Sequence, residues 1–439
     1  MFTAFRLNNF KSHRDSTLPL APLTLMIGTN ASGKTNALEG IRFLSWMSKG
    51  IRLEDIYEDV QALEITIRGS LRDLAYHHAE TFSLGCTFDT DVMGEWRRFD
   101  VTLQVNDSGL TVKQESISGD STVPLYEIAK QASKYSNEVQ VAYNNFARGG
   151  RKPQIPCSNQ RPIFTQLDTP SRFKQKKSQE LIPQITERLR ASLEDRIVFL
   201  DPNFTQMRGY SYTSKKPLHD DGSNLSGVLY DLCERQGQKE QVLDFVRHLP
   251  EQSIQDIRFA HTERDEVMVR LVESFGGTAH EWEAPMLSNG TLRTLAVAAA
   301  VLSAPEGSLI AIEEIDNGVH PSRAGTLLQR IQSIAEERSL RVLLTSHNPA
   351  LLDSLPTAAV PHVVCCYRDP EDGDSRLIRL HEIDQYPELV ARGPLGRLMT
   401  QGIIEKYVKQ RTTDAERKEQ DAAWLNDLTS DLDLQEEIQ

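Results

Sequence analysis

One glycine-rich segment, residues 28–35, constrains the fold of this chain more than any other feature. It has the sequence GTNASGKT and matches the pattern G-x-x-x-x-G-K-[ST]. An apolar run, Leu23–Ile27, precedes the segment, and helical spacing follows it through about Met47. In a strand, loop and helix of this kind, glycines let backbone N–H groups turn inward and the helix N-terminus adds partial positive charge. The segment therefore predicts a phosphate-binding loop in an α/β fold.

Two side chains of this loop are suited to nucleotide chemistry. We expect Lys34 to reach the β and γ phosphates and the Thr35 hydroxyl to take one position on Mg²⁺. The other residues that we assign to nucleotide binding here are Gly28, Asn30, Ala31, Ser32, Gly33 and Asn36. A chance glycine turn is the alternative, and the agreement of strand, loop and helix argues against it.

An apolar strand that ends in two carboxylates forms the second constellation. Residues 309–312 are apolar, and Glu313 and Glu314 follow directly. Ligands bind at the C-terminal edge of parallel strands, and adjacent strand residues face opposite ways. We therefore expect different roles, with Glu313 holding Mg²⁺ directly or through water and Glu314 polarising the attacking water. Taken alone, an acidic strand end also fits a solvated turn.

Two further motifs occur around this acidic strand end. The segment LSNGT at 287–291 comes before an alanine-rich helix predicted for residues 291–303, and Ser288 alone would be its N-cap. The predicted strand 341–345 ends in the sequence SHNP at 346–349, which contains His347. A lone histidine is usually structural, so this residue gains meaning only from its position.

The four motifs in this order resemble ABC-type ATPases of the RecF, SMC and OLD-like group. The sequence NFKSH at 9–13 is similar to the start of RecF, SMC and break-repair ATPases, and IDNGVHP at 315–321 resembles a loop of the RecF-like and OLD-like enzymes. Residues 201–225 look like stand-alone AAA-type ATPases of bacterial defence systems. The resemblance implies roles in nucleotide binding or γ-phosphate sensing for Lys11, Ser12, Ser288, Gly290 and His347.

The resemblance also implies ATP and Mg²⁺ as cofactors, ATP hydrolysis as the activity, and an ATP-dependent homodimer or higher oligomer. In that family the signature serine, here Ser288, contacts the γ-phosphate of a nucleotide held by a second subunit. The sequence contains no heptad run of the kind that forms an SMC-like coiled coil. The segment after His347 is shorter than the Toprim domain of OLD nucleases requires. We therefore expect a separately encoded effector, a nuclease, in defence against phage or foreign DNA. A nucleotide-gated scaffold with little turnover is one alternative, because Glu313 stands where most relatives have aspartate.

A RecF-like repair ATPase that binds DNA is the other alternative. The net charge of -13 argues against a surface that binds nucleic acid everywhere, although one local patch is basic. This patch, residues 148–177, has a single acid, Asp168, among the cations Arg148, Arg151, Lys152, Arg161, Arg172, Lys174, Lys176 and Lys177. A solvated loop is the simpler interpretation of the same residues.

Smaller features complete the sequence-based picture. The 5 cysteines include no C-x-x-C pair, and neither a secretory signal nor a membrane-length apolar run occurs, so we expect a cytoplasmic protein with no membrane contact. The sequence DGD at 372–374 fits a hairpin turn better than a metal site. Gln140 is the candidate for the glutamine that ABC enzymes use to couple the γ-phosphate to the second lobe.

These features predict an α/β P-loop NTPase of ABC type with a mixed or parallel sheet, an antiparallel N-terminal β subdomain and a helical insertion. Alternating segments at 63–67 and 99–105 indicate strands of that subdomain, and a second sheet-forming stretch lies around 253–283. The inner face of a helix after the acidic pair is marked by Leu327, Leu328, Ile331 and Ile334. We expect an N-terminal ATPase lobe over 1–146 and a basic loop with a helical insertion over 147–250. A C-terminal lobe with signature, paired glutamates and histidine follows over 251–410. The last unit is an acidic tail over 411–439.

Overall fold

A computed structural model describes residues 1–56, 67–106, 109–133, 136–147, 149–213, 217–247, 252–316, 321–384 and 386–409. The strands are β1 (Phe2–Phe10), β2 (His13–Pro19), β3 (Leu23–Ile27), β4 (Thr81–Phe88), β5 (Arg98–Asn106), β6 (Gly109–Ser118), β7 (Tyr126–Lys130), β8 (Glu138–Tyr143), β9 (Gln154–Ser158), β10 (Ile197–Leu200), β11 (Ser211–Tyr212), β12 (Ile254–His261), β13 (Glu266–Phe275), β14 (Thr278–Glu283), β15 (Leu309–Ile312), β16 (Arg341–Ser346), β17 (Val364–Arg368) and β18 (Ser375–Arg379).

The α-helices are α1 (Lys34–Met47), α2 (Thr90–Met93), α3 (Lys176–Asp195), α4 (Phe204–Met207), α5 (Leu225–Tyr230), α6 (Lys239–Val246), α7 (Asn289–Ser303), α8 (Pro321–Glu337), α9 (Pro349–Leu352), α10 (Tyr386–Ala391), α11 (Leu395–Thr400) and α12 (Ile403–Lys409). A π-helical turn, Asp231–Arg235, follows α5. Short 3₁₀ turns occupy Leu53–Asp55, Leu71–Leu74, Tyr76–His78, Ile163–Gln166, Pro170–Arg172, Ala284–Met286, Thr357–His362 and Leu380–Glu382.

An antiparallel sheet of eight strands is built from the N-terminal part of the chain, in the order β2-β1-β4-β5-β6-β7-β8-β9. Along β5 the buried residues Phe99, Val101 and Leu103 alternate with partly exposed ones, which gives the sheet one apolar face. The predicted strand over 99–105 is confirmed by β5. The other segment predicted beside it, 63–67, lies mostly outside the described residues.

The nucleotide fold itself is a six-stranded sheet in the order β10-β15-β16-β3-β17-β18. All its strands run parallel except β18, which forms an antiparallel hairpin with β17. Every residue of β3 and β15 is buried, as expected for parallel strands covered on both faces. Leu25 packs into one apolar cluster and Met26 into another, so the sheet separates two cores. Helix α1 contributes to the second core, together with the antiparallel sheet.

The third sheet is small and antiparallel, with β13 pairing with β11, β12 and β14. Its strands confirm the sheet-forming stretch predicted around 253–283. The buried apolar side chains of α5, α6 and α7 belong to the same apolar core as Ile257, Val269 and Leu271 of this sheet. The predicted inner face of α8 is also confirmed, because Leu328 and Ile331 are fully buried.

The interval 147–250, predicted as a basic loop with a helical insertion, contains the helices α3 to α6 and also strands. Its described residues include β9 at the edge of the eight-stranded sheet and β10 at the edge of the parallel sheet. Polar composition and Pro156 concealed β9, because proline is tolerated at sheet edges and is otherwise a sign of a loop. The predicted acidic tail, residues 411–439, lies outside the described residues.

Candidate functional site

The phosphate loop lies against the β17–β18 hairpin with no space for extra atoms. A Cβ atom added to Gly33 would lie 2.2 Å from Ser375 Oγ, and one added to Gly28 would lie 2.2 Å from the carbonyl oxygen of Cys366. The backbone also needs glycine at the first of these positions, since Gly33 has a φ of 114°. Close packing therefore favours glycine at both positions, in addition to the role of glycine in a phosphate-binding loop.

Lys34 lies under the loop and is held by its carbonyl groups. Its Nζ donates to the carbonyl oxygens of Gly28 at 2.6 Å and Thr29 at 3.0 Å. Burial lowers the pKa of Lys34, and the negative charges of Glu314 and Asp316 act in the opposite direction. A phosphate would offer this ammonium stronger acceptors than two carbonyl groups.

The remaining loop residues include exposed residues and others that are half-buried or buried. Asn30 and Ala31 are exposed, whereas Thr35 and Asn36 are half-buried in the first turn of α1. Ser32 Oγ is buried and has no hydrogen-bond partner among the described residues. A buried hydroxyl without a partner is costly unless a ligand or water satisfies it, which fits a phosphate cradle.

Lys11 and Ser12 take two different positions beside this loop. Ser12 Oγ accepts hydrogen bonds from Asn36 Nδ2 and from Ser375 Oγ, both at 2.7 Å. Lys11 instead pairs with the Glu39 carboxylate of α1, and its Nζ donates to the Arg68 carbonyl oxygen at 2.7 Å. Ser12 thus adjoins the phosphate loop directly, while the Lys11 side chain is engaged by the helix that follows it.

Glu313 and Glu314 point in different directions at the end of β15. The Glu313 carboxylate lies 3.6 Å from Arg42 Nη2, and burial raises the pKa of Glu313 while Arg42 opposes this shift. The Glu314 carboxylate lies 3.9 Å from His347 Nδ1, and its charge also acts on Lys34. The structure therefore brings Glu314, His347 and Lys34 to one side of the strand end.

Neighbouring strands fix the backbone of the acidic pair. Glu313 N donates to the Leu200 carbonyl oxygen at 3.1 Å, and Glu314 N donates to Thr345 Oγ1 at 3.0 Å. Glu314 has a φ of 48°, an unusual conformation for a residue with a side chain. Backbone strain of this kind, held by surrounding contacts, often occurs at functional sites.

The signature segment lies at the N-terminus of α7 and faces solvent. Ser288 caps the helix by accepting a hydrogen bond from Thr291 N at 3.1 Å, so the capping interpretation of its sequence is correct. Ser288 is nevertheless exposed and Gly290 is half-exposed. No hydrogen bond links either residue to the phosphate loop within the described part of the chain.

Three arginines around this site were missed by the sequence analysis. Arg42 pairs with Glu313 and with the Asp220 carboxylate, and its guanidinium lies 4.0 Å from the centre of the Phe199 ring. Arg293 and Arg208 bind the acidic strand end and the signature segment, respectively. Arg208 lies in the 201–225 segment described above but received no role there, and no motif marks Arg42 or Arg293. The partners of all three are distant in the sequence, and only the fold brings them together.

Some cations of the basic patch already contact other groups of the protein, so fewer are available for DNA than the composition implies. Arg172 donates to the carbonyl groups of Gln166 and Pro156, and the Lys177 ammonium lies 4.6 Å from the centre of the Phe146 ring. The other described cations that are exposed are Arg151, Arg161, Lys174 and Lys176. DNA binding through this patch remains a prediction. Arg172 serves the fold, because its guanidinium binds two backbone carbonyl groups.

Two smaller expectations can be placed in the structure. Gln140 lies on β8 of the antiparallel sheet, where its amide donates to Glu138 Oε1 at 2.9 Å. The DGD sequence lies in the turn between β17 and β18, which confirms the hairpin. Three carboxylates there lie within 4.8 Å of one another, and the Arg376 guanidinium pairs with all of them, namely Asp369, Asp372 and Asp374.

The donor set of the site fits a nucleoside triphosphate and Mg²⁺. Lys34, the buried Ser32 hydroxyl and the N-terminus of the 14-residue helix α1 supply positive charge and donors for phosphate. Thr35 and Glu313 supply oxygen atoms of the kind that Mg²⁺ prefers. Among the described residues, no helix has the length and apolar character needed to cross a bilayer.

Three solved structures illustrate what the chain is similar to. An Smc head bound to the C-winged helix domain of ScpA is 13% identical, with a TM-score of 0.44, over 86% of this chain and 97% of that chain. The SMC head domain from Thermotoga maritima is 12% identical, with a TM-score of 0.41, over 86% and 98%. A Pyrococcus furiosus Smc head with an extended coiled coil, bound to the C-terminal domain of ScpA, is 12% identical, with a TM-score of 0.45, over 89% and 98%.

A family model matches most of the sequence. It spans residues 23–353, from the strand before the phosphate loop to the segment after His347, and is described as "AAA domain, putative AbiEii toxin, Type IV TA system". No curated protein matches the chain. With a P-loop, a parallel sheet, an adjoining antiparallel sheet and a match over more than half of its length, the chain has an α/β P-loop fold and belongs to this AAA-domain family.

Proposed function

We propose that this protein is an ATP-hydrolysing switch that dimerises around ATP. The observation that carries the proposal is the separation of two motifs within one chain. Lys34, Glu314 and His347 converge at the end of β15, whereas Ser288 is exposed at the start of α7. A serine that caps its own helix and faces solvent is free to contact a nucleotide on a second copy.

The residues of one chain divide the work of hydrolysis between them. Lys34 exchanges its two carbonyl acceptors for the β and γ phosphates, which removes the contacts that hold it in the loop. Glu314 orients the attacking water and accepts its proton, and His347 lies within reach to interact with the γ-phosphate. Thr35 and Glu313 would hold Mg²⁺, which supplies neutralisation of the phosphate charge.

The proposed ATP cycle also offers a means of controlling a second protein. Closure of two copies around ATP and their release after hydrolysis would change the surface offered to a partner. We propose a separately encoded effector, a nuclease, in defence against phage or foreign DNA. The support for this role is the resemblance of residues 201–225 to defence ATPases and the toxin named in the family description.

Dimerisation tests the proposal directly. In a Glu314→Gln background, which should bind ATP without turnover, ATP and Mg²⁺ should convert monomers to dimers in light scattering after gel filtration. Adding Ser288→Arg should keep the protein monomeric, because a long cation replaces a small hydroxyl at the contact, while calorimetry still detects ATP binding to the monomer. The matched control is Ser171→Arg, at another exposed serine, which should still dimerise. Dimers in the Ser288→Arg protein would contradict the proposal.

A further inference from the structure

The acidic strand end and the signature segment are joined inside one chain by Arg293. This residue belongs to α7, yet its Nη1 donates to the carbonyl oxygens of Glu313 at 3.1 Å and Glu314 at 2.8 Å. Its side chain is almost fully buried, with 3% of the residue exposed. The helix that begins at the signature is therefore attached to the backbone of the two glutamates, twenty residues further along the chain.

A second arginine holds the signature segment from the other side. Arg208 Nη2 donates to the Leu287 carbonyl oxygen at 3.1 Å and to Asn289 Oδ1 at 3.0 Å, on either side of Ser288. Its Nη1 donates to the Phe204 carbonyl oxygen at 2.9 Å. The position of the signature segment thus depends on residues 204–208.

Phe204 brings the two arginines into one unit. The Arg293 guanidinium lies 5.5 Å from the centre of the Phe204 ring, while the carbonyl of the same residue binds Arg208. A guanidinium over an aromatic face is attracted by the ring, and burial strengthens the attraction. A shift of the strand end would therefore displace Arg293, then Phe204, and then Arg208 with the signature segment.

Asp201 lies between the parallel sheet and the segment that contains Phe204 and Arg208. Asp201 directly follows β10, whose last residue Leu200 pairs with Ile312 of β15, so Asp201 lies beside Glu313. The negative charge of Asp201 acts on both Glu313 and Arg293. A cation bound at Glu313 would change the field at Asp201 and with it the start of residues 201–208.

We infer that residues 201–208 couple the state of the ATP site to the signature segment of the same chain, with Arg208 as the positioning residue. This inference rests on the proposed function, since it assumes that ATP and Mg²⁺ bind at the phosphate loop. It supplies the coupling role for which Gln140 was the sequence candidate. Gln140 lies on the antiparallel sheet, whereas Arg208 and Asp201 contact or adjoin both sites that must communicate.

A label beside the signature segment tests this link. Met286 is 69% exposed, and the 5 native cysteines are all buried, so Met286→Cys provides a selective site for an environment-sensitive fluorophore. At protein concentrations below those at which ATPγS produces dimers, adding ATPγS and Mg²⁺ should change the fluorescence of the labelled protein by an amount independent of protein concentration. That independence marks a response within one chain, because a signal from dimer formation would grow with concentration.

Arg208→Gln should reduce the amplitude of this response by about fivefold or more, which is the lower range of ordinary coupling between sites. ATPγS affinity by calorimetry should stay within about twofold, because the hydrogen bonds of Arg208 are made to Phe204, Leu287 and Asn289 and not to the described phosphate loop. The matched control is Arg247→Gln, since Arg247 pairs with Glu240 and Asp244 in or beside its own helix. This control should keep the full response.

The outcomes separate the link from the proposed function. A full response in Arg208→Gln, or a response that scales with protein concentration, would overturn the coupling. If Arg208→Gln does not fold by circular dichroism, Phe204→Leu replaces it, because leucine keeps apolar volume but removes the ring beneath Arg293. A full response in that variant would likewise overturn the coupling. Failure of the parent protein to bind ATPγS would instead overturn the proposed function itself.

Discussion

The eight-stranded and six-stranded sheets hold their glutamates in opposite ways. Glu115 of β6 is 2% exposed and accepts hydrogen bonds from the Tyr126 hydroxyl at 2.6 Å, Ile163 N at 2.8 Å and Phe164 N at 2.7 Å. Glu314, at the end of β15, has 53% of its side chain exposed and lies 3.9 Å from His347 Nδ1. Neutral, fixed donors surround the first carboxylate, and a titratable, half-exposed group faces the second.

This difference separates a structural carboxylate from a chemical one. The donors of Glu115 come from β7 and from the 3₁₀ turn Ile163–Gln166, so the carboxylate fastens that turn to the sheet. Burial raises the pKa of Glu115 to about 7 even though three hydrogen bonds favour the charged form. Glu314 is half-exposed to solvent and has the imidazole of His347 beside it. A perturbed carboxylate pKa therefore does not by itself identify the reactive residue here.

The largest expected effect comes from the glutamate at the strand end. Glu314→Gln should lower ATP turnover by about 10²- to 10⁴-fold, the range ordinarily contributed by a positioned general base. Its unfolding midpoint in urea should match the parent protein, since the side chain is half-exposed. Phosphate release assays and calorimetry of ATP binding measure the two properties. If the parent itself turns over no faster than the variant, the nucleotide-gated scaffold becomes the better description.

Motifs that are local in sequence were predicted closely. Helix α1 ends at Met47 and β15 spans Leu309–Ile312, both as expected, because an apolar run beside a glycine loop or an acidic pair has few alternative structures. The β17–β18 hairpin and the apolar face of α8 follow from equally local patterns. Each of these predictions needed only the chemistry of residues close together in the chain.

Contacts between distant segments could not be predicted in the same way. Arg208 binds Asn289 and Arg293 binds the carbonyl groups of the acidic pair, and nothing near either arginine in the sequence indicates its partner. The short strand β10 was overlooked inside a stretch with helical spacing, although Ile197–Leu200 is an uninterrupted apolar run. Without β10 beside β15, the position of Asp201 next to Glu313 could not be recognised.

Glu115 should affect the pH dependence of the free energy of unfolding and not the ATP turnover. In the folded protein the pKa of Glu115 is about 7, above its ordinary value of 4.5, so the folded state binds the proton more tightly. Stability from this group is present below about pH 4.5 and is lost as the pH rises through about 7. Between pH 5 and pH 8 the loss should be about 2 to 3 kcal/mol, which urea unfolding measures.

Glu115→Gln provides the reference for that measurement, because glutamine has nearly the same shape and does not titrate. The difference between the two proteins removes the contribution of His13, whose pKa burial lowers to about 4 and whose stability effect has the opposite pH dependence. ATP turnover of folded Glu115→Gln should equal that of the parent. An equal loss of stability with pH in both proteins would show that Glu115 does not titrate in this range.

Glu313 lies between these two extremes, and the smallest effect is expected there. Its side chain is 20% exposed and 3.6 Å from Arg42 Nη2. Glu313→Gln should raise the Mg²⁺ concentration needed for half-maximal turnover by about tenfold, because a neutral amide is a poorer partner for the ion or its bound water. Asp220→Asn is the matched control, since Asp220 pairs with the same arginine. An equal shift in both variants would assign the effect to Arg42, and Glu313 would then resemble Glu115 in serving the fold.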